Sequence, residues 1–224
     1  MMMQSFFDGV LGGVAALFPV VDPIGAVPIF LMLTTGVSKE LRHRYAITIA
    51  RNVVLLLVGA LLVGGSLLDF FGVSLAVVRI AGGMIVFHAA WKAVNSDPKL
   101  SPVDNQDAAQ RREQHRDIAF MPMTIPLLSG PGAIAVTVGL AAQTRTTSMP
   151  LGLHLIAITL AITLVGLSIF LALRASSLLL RLLGVSGIQA MSRLLGLFVM
   201  AIGVQLILNG LADWLTDLNL SGGR

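Results

Sequence analysis

Six stretches of the sequence, each about 20 residues long, are almost free of charged side chains. They cover 9–38, 45–68, 70–91, 118–142, 151–173 and 194–212, and the charges inside them are Asp22, Arg51 and Arg79. A helix needs about 20 apolar residues to cross the hydrocarbon of a bilayer. Charged residues make up 12% of the chain, about half the share of a soluble domain. We therefore predict an all-α integral membrane protein with six transmembrane helices.

The basic residues predict how these spans are oriented. All but three of the 15 Lys and Arg residues lie on the side that holds the loops after spans one, three and five; the exceptions are Arg79, Arg145 and Arg224. Basic loops remain in the cytoplasm. Both termini are thus expected on the outer side of the membrane, and the net charge of +4 is attributed to topology rather than to nucleic-acid binding.

Two segments of the first three spans recur in the last three. Pro19-Val-Val-Asp-Pro-Ile-Gly-Ala-Val resembles Pro126-Leu-Leu-Ser-Gly-Pro-Gly-Ala-Ile, and Arg79-Ile-Ala-Gly82 resembles Arg193-Leu-Leu-Gly196. Because three spans are an odd number, the second copy enters the membrane from the opposite side, as in many secondary transporters. We predict one membrane domain over 1–224, with inverted repeats at about 9–94 and 118–212 and a cytoplasmic connector over 95–117.

Six of the nine prolines lie in spans one and four, which the repeat makes equivalent. A proline inside a helix removes a backbone donor and clashes with the preceding turn, and lipid offers no replacement partner. We expect both spans to be broken near the bilayer midplane, since Asp22 lies 13 residues, roughly 20 Å, after Gly9. Gly196, Gly203 and Gly210 recur every seven residues along span six and predict close helix packing.

Two broken helices that meet at mid-membrane predict a transporter site. Each half-helix begins with free N–H groups and partial positive charge, which favours a substrate carboxylate. Asp22 is interpreted either as the ligand of a substrate ammonium or a coupling ion, Na⁺ or H⁺, or as a helix cap only. The predicted substrate-binding residues are Asp22, Pro23, Gly25, Ser129, Gly130, Pro131 and Gly132, and the secondary candidates are Thr34, Thr124 and His88. No metal and no other cofactor is expected.

The segments Phe18–Phe30, Arg79–Gly83, Ile125–Ile134 and Gly187–Gly196 together resemble the MarC family, in order and over nearly the whole chain. The resemblance implies a six-span bacterial inner-membrane protein, and some members are described as transporters of small neutral amino acids such as glycine and alanine. We predict a secondary transporter of such substrates in the lipid bilayer and no enzymatic activity. The alternatives are an exporter of another small metabolite on the same scaffold and a passive channel. The oligomeric state is left open.

Overall fold

The computed structural model describes residues 2–95, 119–142 and 150–221, and all regular structure in these ranges is helical. The connector over 96–117, the first residue of span four and the basic residues Arg145 and Arg224 lie outside the described residues. The helices are α1 (Met2–Val21), α2 (Ala26–Leu33), α3 (Lys39–Phe71), α4 (Leu75–Asn95), the irregular α5 (Ala119–Leu128), α6 (Pro131–Ala142), α7 (Leu151–Arg174) and α8 (Ser176–Ser221).

The all-helical membrane class is confirmed. Five of the described helices are long and apolar enough to cross a membrane: α1, α3, α4, α7 and α8. Predicted span one consists of α1 followed by the short α2, and predicted span four consists of two short segments, α5 and α6.

The segment between predicted spans five and six is helical, where the sequence analysis expected a connecting loop. α8 begins at Ser176, directly after α7, and runs for 46 residues with one interruption at Gly184. Gly184 has φ +65° and ψ 176°, a backbone conformation that is open almost only to glycine. The Leu-rich sequence before Gly184 therefore forms its own short helical arm before the chain turns into span six.

The outer surface of the bundle is apolar. Large hydrophobic side chains point outward along the long helices; Leu55 and Phe198, for example, are 63% and 64% exposed. A soluble monomer rarely shows contiguous apolar surface of this extent. The arrangement fits a surface that faces lipid chains, with a narrow core of side chains such as Leu17, Ile49 and Ile162 between the helices.

Helices α4 and α8 approach each other most closely, and the approach depends on glycine. A Cβ atom on Gly203 would lie 2.8 Å from the Phe87 nitrogen and 2.9 Å from the Gly83 oxygen, and one on Gly210 would lie 2.7 Å from the Ala76 oxygen. The prediction that these glycines serve helix packing is confirmed at both positions. Arg79 adds an ion pair with Asp213 between the same two helices.

The remaining contacts define two ends of the bundle. At one end, Arg42 donates to the Thr34 carbonyl and to the Ser177 hydroxyl, which joins the α2–α3 turn to the α7–α8 junction. At the other end, His154 Nε2 lies 3.1 Å from the Leu140 oxygen, which joins α6 to the start of α7. The start of α1 packs there as well, with Gly9 against Ala157.

Candidate functional site

The first interruption lies between α1 and α2, where the sequence reads Asp22-Pro23-Ile24-Gly25. The Asp22 nitrogen donates to the Phe18 oxygen (3.1 Å), which ends α1, and the Asp22 oxygen accepts from the Ala26 nitrogen (3.2 Å), which begins α2. The Asp22 side chain accepts a hydrogen bond from the Gly25 N–H at 2.9 Å. Asp22 therefore caps the second half-helix, with Pro23 in the first position of the turn that follows.

The backbone of Asp22 is left-handed, with φ +45°, the one described non-glycine residue with positive φ. Asp and Asn enter this region more readily than other side-chain-bearing residues. A residue held in this region costs about 1–3 kcal/mol and commonly lies at a functional site. The conformation lets one residue end α1 and start α2 while its half-buried carboxylate stays between them.

Ser192 of α8 completes the surroundings of this carboxylate. A Cβ atom on Gly25 would overlap the second carboxylate oxygen of Asp22 and would lie 2.7 Å from Ser192 Oγ. The missing side chain of Gly25 thus lets a carboxylate and a hydroxyl come together above its Cα atom. Ser192 Oγ is buried and lies within hydrogen-bonding reach of the Asp22 carboxylate.

The second interruption lies between α5 and α6. Met121 and Ile125 have extended torsions, φ −130°, ψ 120° and φ −121°, ψ 127°. Both residues precede a proline, and proline disfavours the α conformation for the residue before it. These two prolines explain why α5 is irregular.

Gly130, rather than Ser129, supplies the first carbonyl of α6, because the Ile134 nitrogen donates to the Gly130 oxygen at 3.2 Å. Pro131 is the first helical residue, and the N–H groups of Gly132 and Ala133 then have no acceptor within the helix. Ser129 is 1% exposed, and its Oγ has no partner among the described residues. A buried unpaired hydroxyl costs about 1–3 kcal/mol, so this group is available to a ligand.

The two interruptions lie side by side. A Cβ atom on Gly132 would lie 3.6 Å from Val20 Cγ1 and 3.2 Å from Val86 Cγ2. Val20 is two residues before Asp22, and Val86 is at the middle of α4. The start of α6 therefore packs against the end of α1 at half the height of the bundle, although no hydrogen bond joins Ser129 Oγ to Asp22.

The secondary candidates lie elsewhere or bond to their own helices. Thr34 is at the far end of α2 and donates to the Phe30 oxygen at 2.7 Å. Thr124 donates to the Ala119 oxygen at 2.6 Å, while its carbonyl accepts from the Ser129 nitrogen. His88 is exposed on the surface of α4. Of the three, only Thr124 is next to an interruption.

Ser192 is a site residue that was not predicted from the sequence. Ser192 lies in the segment Gly187–Gly196, which entered only through the family resemblance, and it immediately precedes the repeated segment that begins at Arg193. A polar residue at the start of an otherwise apolar span was the one signal available. Its position beside Asp22 depends on how α8 crosses α2, which no local pattern encodes.

These features define an integral membrane protein built around two adjacent interrupted helices. The family model described as "MarC family integral membrane protein" matches residues 7–215, and the chain belongs to the MarC family. Relatives include the inner membrane protein MarC of Escherichia coli strain K12 and that of Shigella flexneri, each 31% identical over 217 residues, or 94% of this chain and 97% of the relative. None of the solved structures matches the chain significantly.

Proposed function

We propose that the chain is a secondary transporter of a small neutral amino acid, such as glycine or alanine, in the bacterial inner membrane. The observation that carries this proposal is the junction of the two interruptions, where Gly132 meets Val20. Irregular backbone is tolerated inside a membrane where it is buried in protein or lines a polar cavity. Interrupted helices of this kind typically form the substrate site of transporters.

The pairing of the helices supports an inverted repeat. If α1–α4 and α5–α8 are equivalent halves, α3 should pack on α7 and α4 on α8, and both contacts are present. In this scheme α1 corresponds to α5, α2 to α6, α3 to α7 and α4 to α8. The contact of α1 with α7 then has its counterpart in the contact of α5 with α3, and the contact of α2 with α8 has its counterpart in that of α6 with α4. Alternating access would then follow from movement of one half against the other.

The chemistry of the site supports a zwitterionic substrate of small size. The N–H groups that open α6, together with Ser129 Oγ, would donate to the carboxylate of the substrate. Asp22 and Ser192 would accept from its ammonium group or from a coupling cation, Na⁺ or H⁺. Gly25, Gly130 and Gly132 bring backbone rather than side chains to the interruptions, so a substrate bound there would have little or no side chain.

The test is transport by the purified chain in proteoliposomes, with labelled glycine and alanine and with imposed Na⁺ or H⁺ gradients. We expect saturable uptake and counterflow above the level of protein-free vesicles. Counterflow distinguishes a carrier from a passive channel, because a channel does not exchange labelled for unlabelled substrate against a gradient. Absence of transport in both directions over a panel of small amino acids would contradict the substrate assignment.

A serine pair tests the site directly. Ser192→Ala removes one small hydroxyl beside the Asp22 carboxylate and leaves the Gly25 N–H cap in place, so the fold should tolerate it, while the substrate or ion loses a hydrogen bond. A hydrogen bond to a charged group is worth about 1.5–3 kcal/mol, so the apparent affinity should fall about tenfold. Ser168→Ala is the matched control, because Ser168 Oγ donates to the Val165 oxygen of its own helix at 2.6 Å. Equal transport by both variants would remove Ser192 from the site.

A further inference from the structure

A cavity lies at the end of the bundle where the α2–α3 turn meets the α7–α8 junction, away from the interrupted helices. Its volume is about 550 Å³. The buried side chain of Leu173 lines one part of it. The polar lining consists of Lys39, Glu40, Arg42, His43, Arg174 and Ser177.

Arg42 is held in place by two neighbours and retains an unused donor. One terminal nitrogen donates to the Thr34 oxygen at 3.1 Å and the other donates to Ser177 Oγ at 3.4 Å. Arg42 Nε is buried and has no acceptor among the described residues. A buried donor without an acceptor destabilises the folded protein. An anion in the cavity would accept this hydrogen bond and remove the destabilisation.

Phe170 orders two more of the lining side chains. The Arg174 guanidinium lies over its ring at 5.8 Å from the centroid, and the His43 ring packs against it edge-on at 5.6 Å. Such contacts with an aromatic ring fix a guanidinium without using its N–H donors. Arg174 therefore lines the cavity with its guanidinium against Phe170, and no hydrogen bond from its N–H donors is found among the described residues.

The charges that face this cavity are mainly positive. Lys39, Arg42 and Arg174 carry positive charge, and Glu40 carries the one negative charge among the lining residues. Within the described ranges none of these four side chains forms an ion pair. Two guanidinium groups, one ammonium group and one hydroxyl suit an anion with several oxygens. Phosphate is such an anion, and arginine binds it through paired donors.

We propose that this cavity binds a phosphate group, supplied either by the headgroup of an anionic phospholipid or by a soluble phosphate. The cavity belongs to the end of the bundle that carries the basic loops and that the sequence assigns to the cytoplasm. Basic pockets between helices on that side of a membrane bind anionic headgroups. The proposal is independent of the transported substrate, because none of its residues belongs to the interrupted-helix site.

The experiment uses the purified full-length chain in neutral detergent and two ligands. Native mass spectrometry measures retention of phosphatidylglycerol against the net-neutral phosphatidylcholine, and calorimetric titration measures binding of inorganic phosphate. Lys39→Gln with Arg174→Gln removes two cavity charges without touching Arg42. Arg44→Gln with Arg181→Gln is the matched control, since both arginines are exposed and neither lines the cavity.

We expect the cavity pair to weaken binding about tenfold or more, since it removes two of the three positive charges that attract the anion. The control pair should bind as the unmodified chain does. If the cavity pair loses binding of inorganic phosphate, the phosphate group comes from a soluble ligand. If the cavity pair loses only the retention of phosphatidylglycerol, the phosphate group belongs to a lipid headgroup.

Three results would overturn the proposal. The first is that the unmodified chain binds neither ligand, and the second is that both double variants lose binding equally. The third concerns the charge-conserving exchange, Lys39→Arg with Arg174→Lys, which should keep most of the binding. If it abolishes binding as fully as the glutamine pair, the cavity does not act through its positive charge.

Discussion

Asp22 combines three tasks in one residue: it ends α1, it caps the turn into α2 through Gly25, and it places a carboxylate between α1 and α2, beside Ser192 of α8. The left-handed backbone makes this combination possible. Capping explains the short polar side chain, but asparagine would cap equally well. The negative charge therefore requires a reason beyond the helix terminus, and the proposed substrate ammonium or coupling cation provides one.

Replacing Asp22 by Asn separates these tasks. Asn tolerates the left-handed region and can accept from the Gly25 N–H, so we expect thermal unfolding in detergent to change by less than about 1 kcal/mol. Transport should fall by at least an order of magnitude, with its dependence on the ion gradient lost.

Asp22→Ala is the companion variant. It loses the cap as well as the charge and should cost about 1–2 kcal/mol in stability. If Asp22→Asn, by contrast, keeps both transport and its dependence on the ion gradient, the role of Asp22 is only that of a helix cap.

Gly25 is the second residue whose identity the geometry fixes. In Gly25→Ala the new methyl group would overlap the Asp22 carboxylate and crowd Ser192 Oγ, so we expect a loss of about 1–3 kcal/mol in stability and loss of transport. Gly65→Ala is the control, because a Cβ atom there meets no atom within 4 Å. Alanine in that helical position should be neutral or stabilising by up to about 1 kcal/mol. Differential scanning fluorimetry and uptake assays on both variants measure the contrast.

At the scale of the helices, prolines made the interruptions predictable. Pro23 and Pro131 each lie directly after a capping residue, and the extended torsions of α5 occur where the chain precedes a proline. These effects are local, so the sequence reveals them. The helical arm before Gly184 was not predicted, because a Leu-rich segment between two apolar spans can equally form a loop or lie along the membrane surface.

The residues that complete the site depend on packing between distant helices. Ser192 reaches Asp22 only because α8 crosses α2 at this point, and Thr34 lies far from the interruption although it is only 12 residues from Asp22 in sequence. His88 and His154 are both lone histidines in apolar spans, yet His88 is exposed on α4 and His154 is buried beside Leu140 at the end of the bundle. Distances across helices arise from tertiary contacts, which a single sequence does not specify.

The α4–α8 pair gives a prediction at the scale of the helices. Gly203→Ala would place a methyl group within 3 Å of the backbone of α4 and force the two helices apart. We expect a loss of about 1–3 kcal/mol in stability, measured by thermal unfolding in detergent.

Gly12→Ala is the matched control for this variant, since nothing lies within 4 Å of a Cβ atom at that position of α1. If Gly203→Ala is as stable as Gly12→Ala, the close approach of the two backbones is not what holds α4 and α8 together.

For the whole molecule, the ends of the bundle give a topology that labelling can check. The chain has no cysteine, so single cysteines can be introduced without removing any. Ser74 lies in the exposed turn between α3 and α4, and Ser177 is exposed at the α7–α8 junction. We expect a membrane-impermeant maleimide to label Ser74→Cys in intact spheroplasts and Ser177→Cys only after permeabilisation. The reverse pattern would place the basic loops outside and would contradict the predicted orientation.

The glycines that join α4 to α8 also constrain how the molecule can move. Where backbone lies against backbone at Gly203 and Gly210, little side-chain volume separates the two helices that could slide or repack. If the chain is the transporter proposed above, this pair would stay rigid during the transport cycle, and the helices around it would move. Each interrupted helix contacts this pair, so a rotation about the pair would open the interruptions to one membrane face and close them to the other.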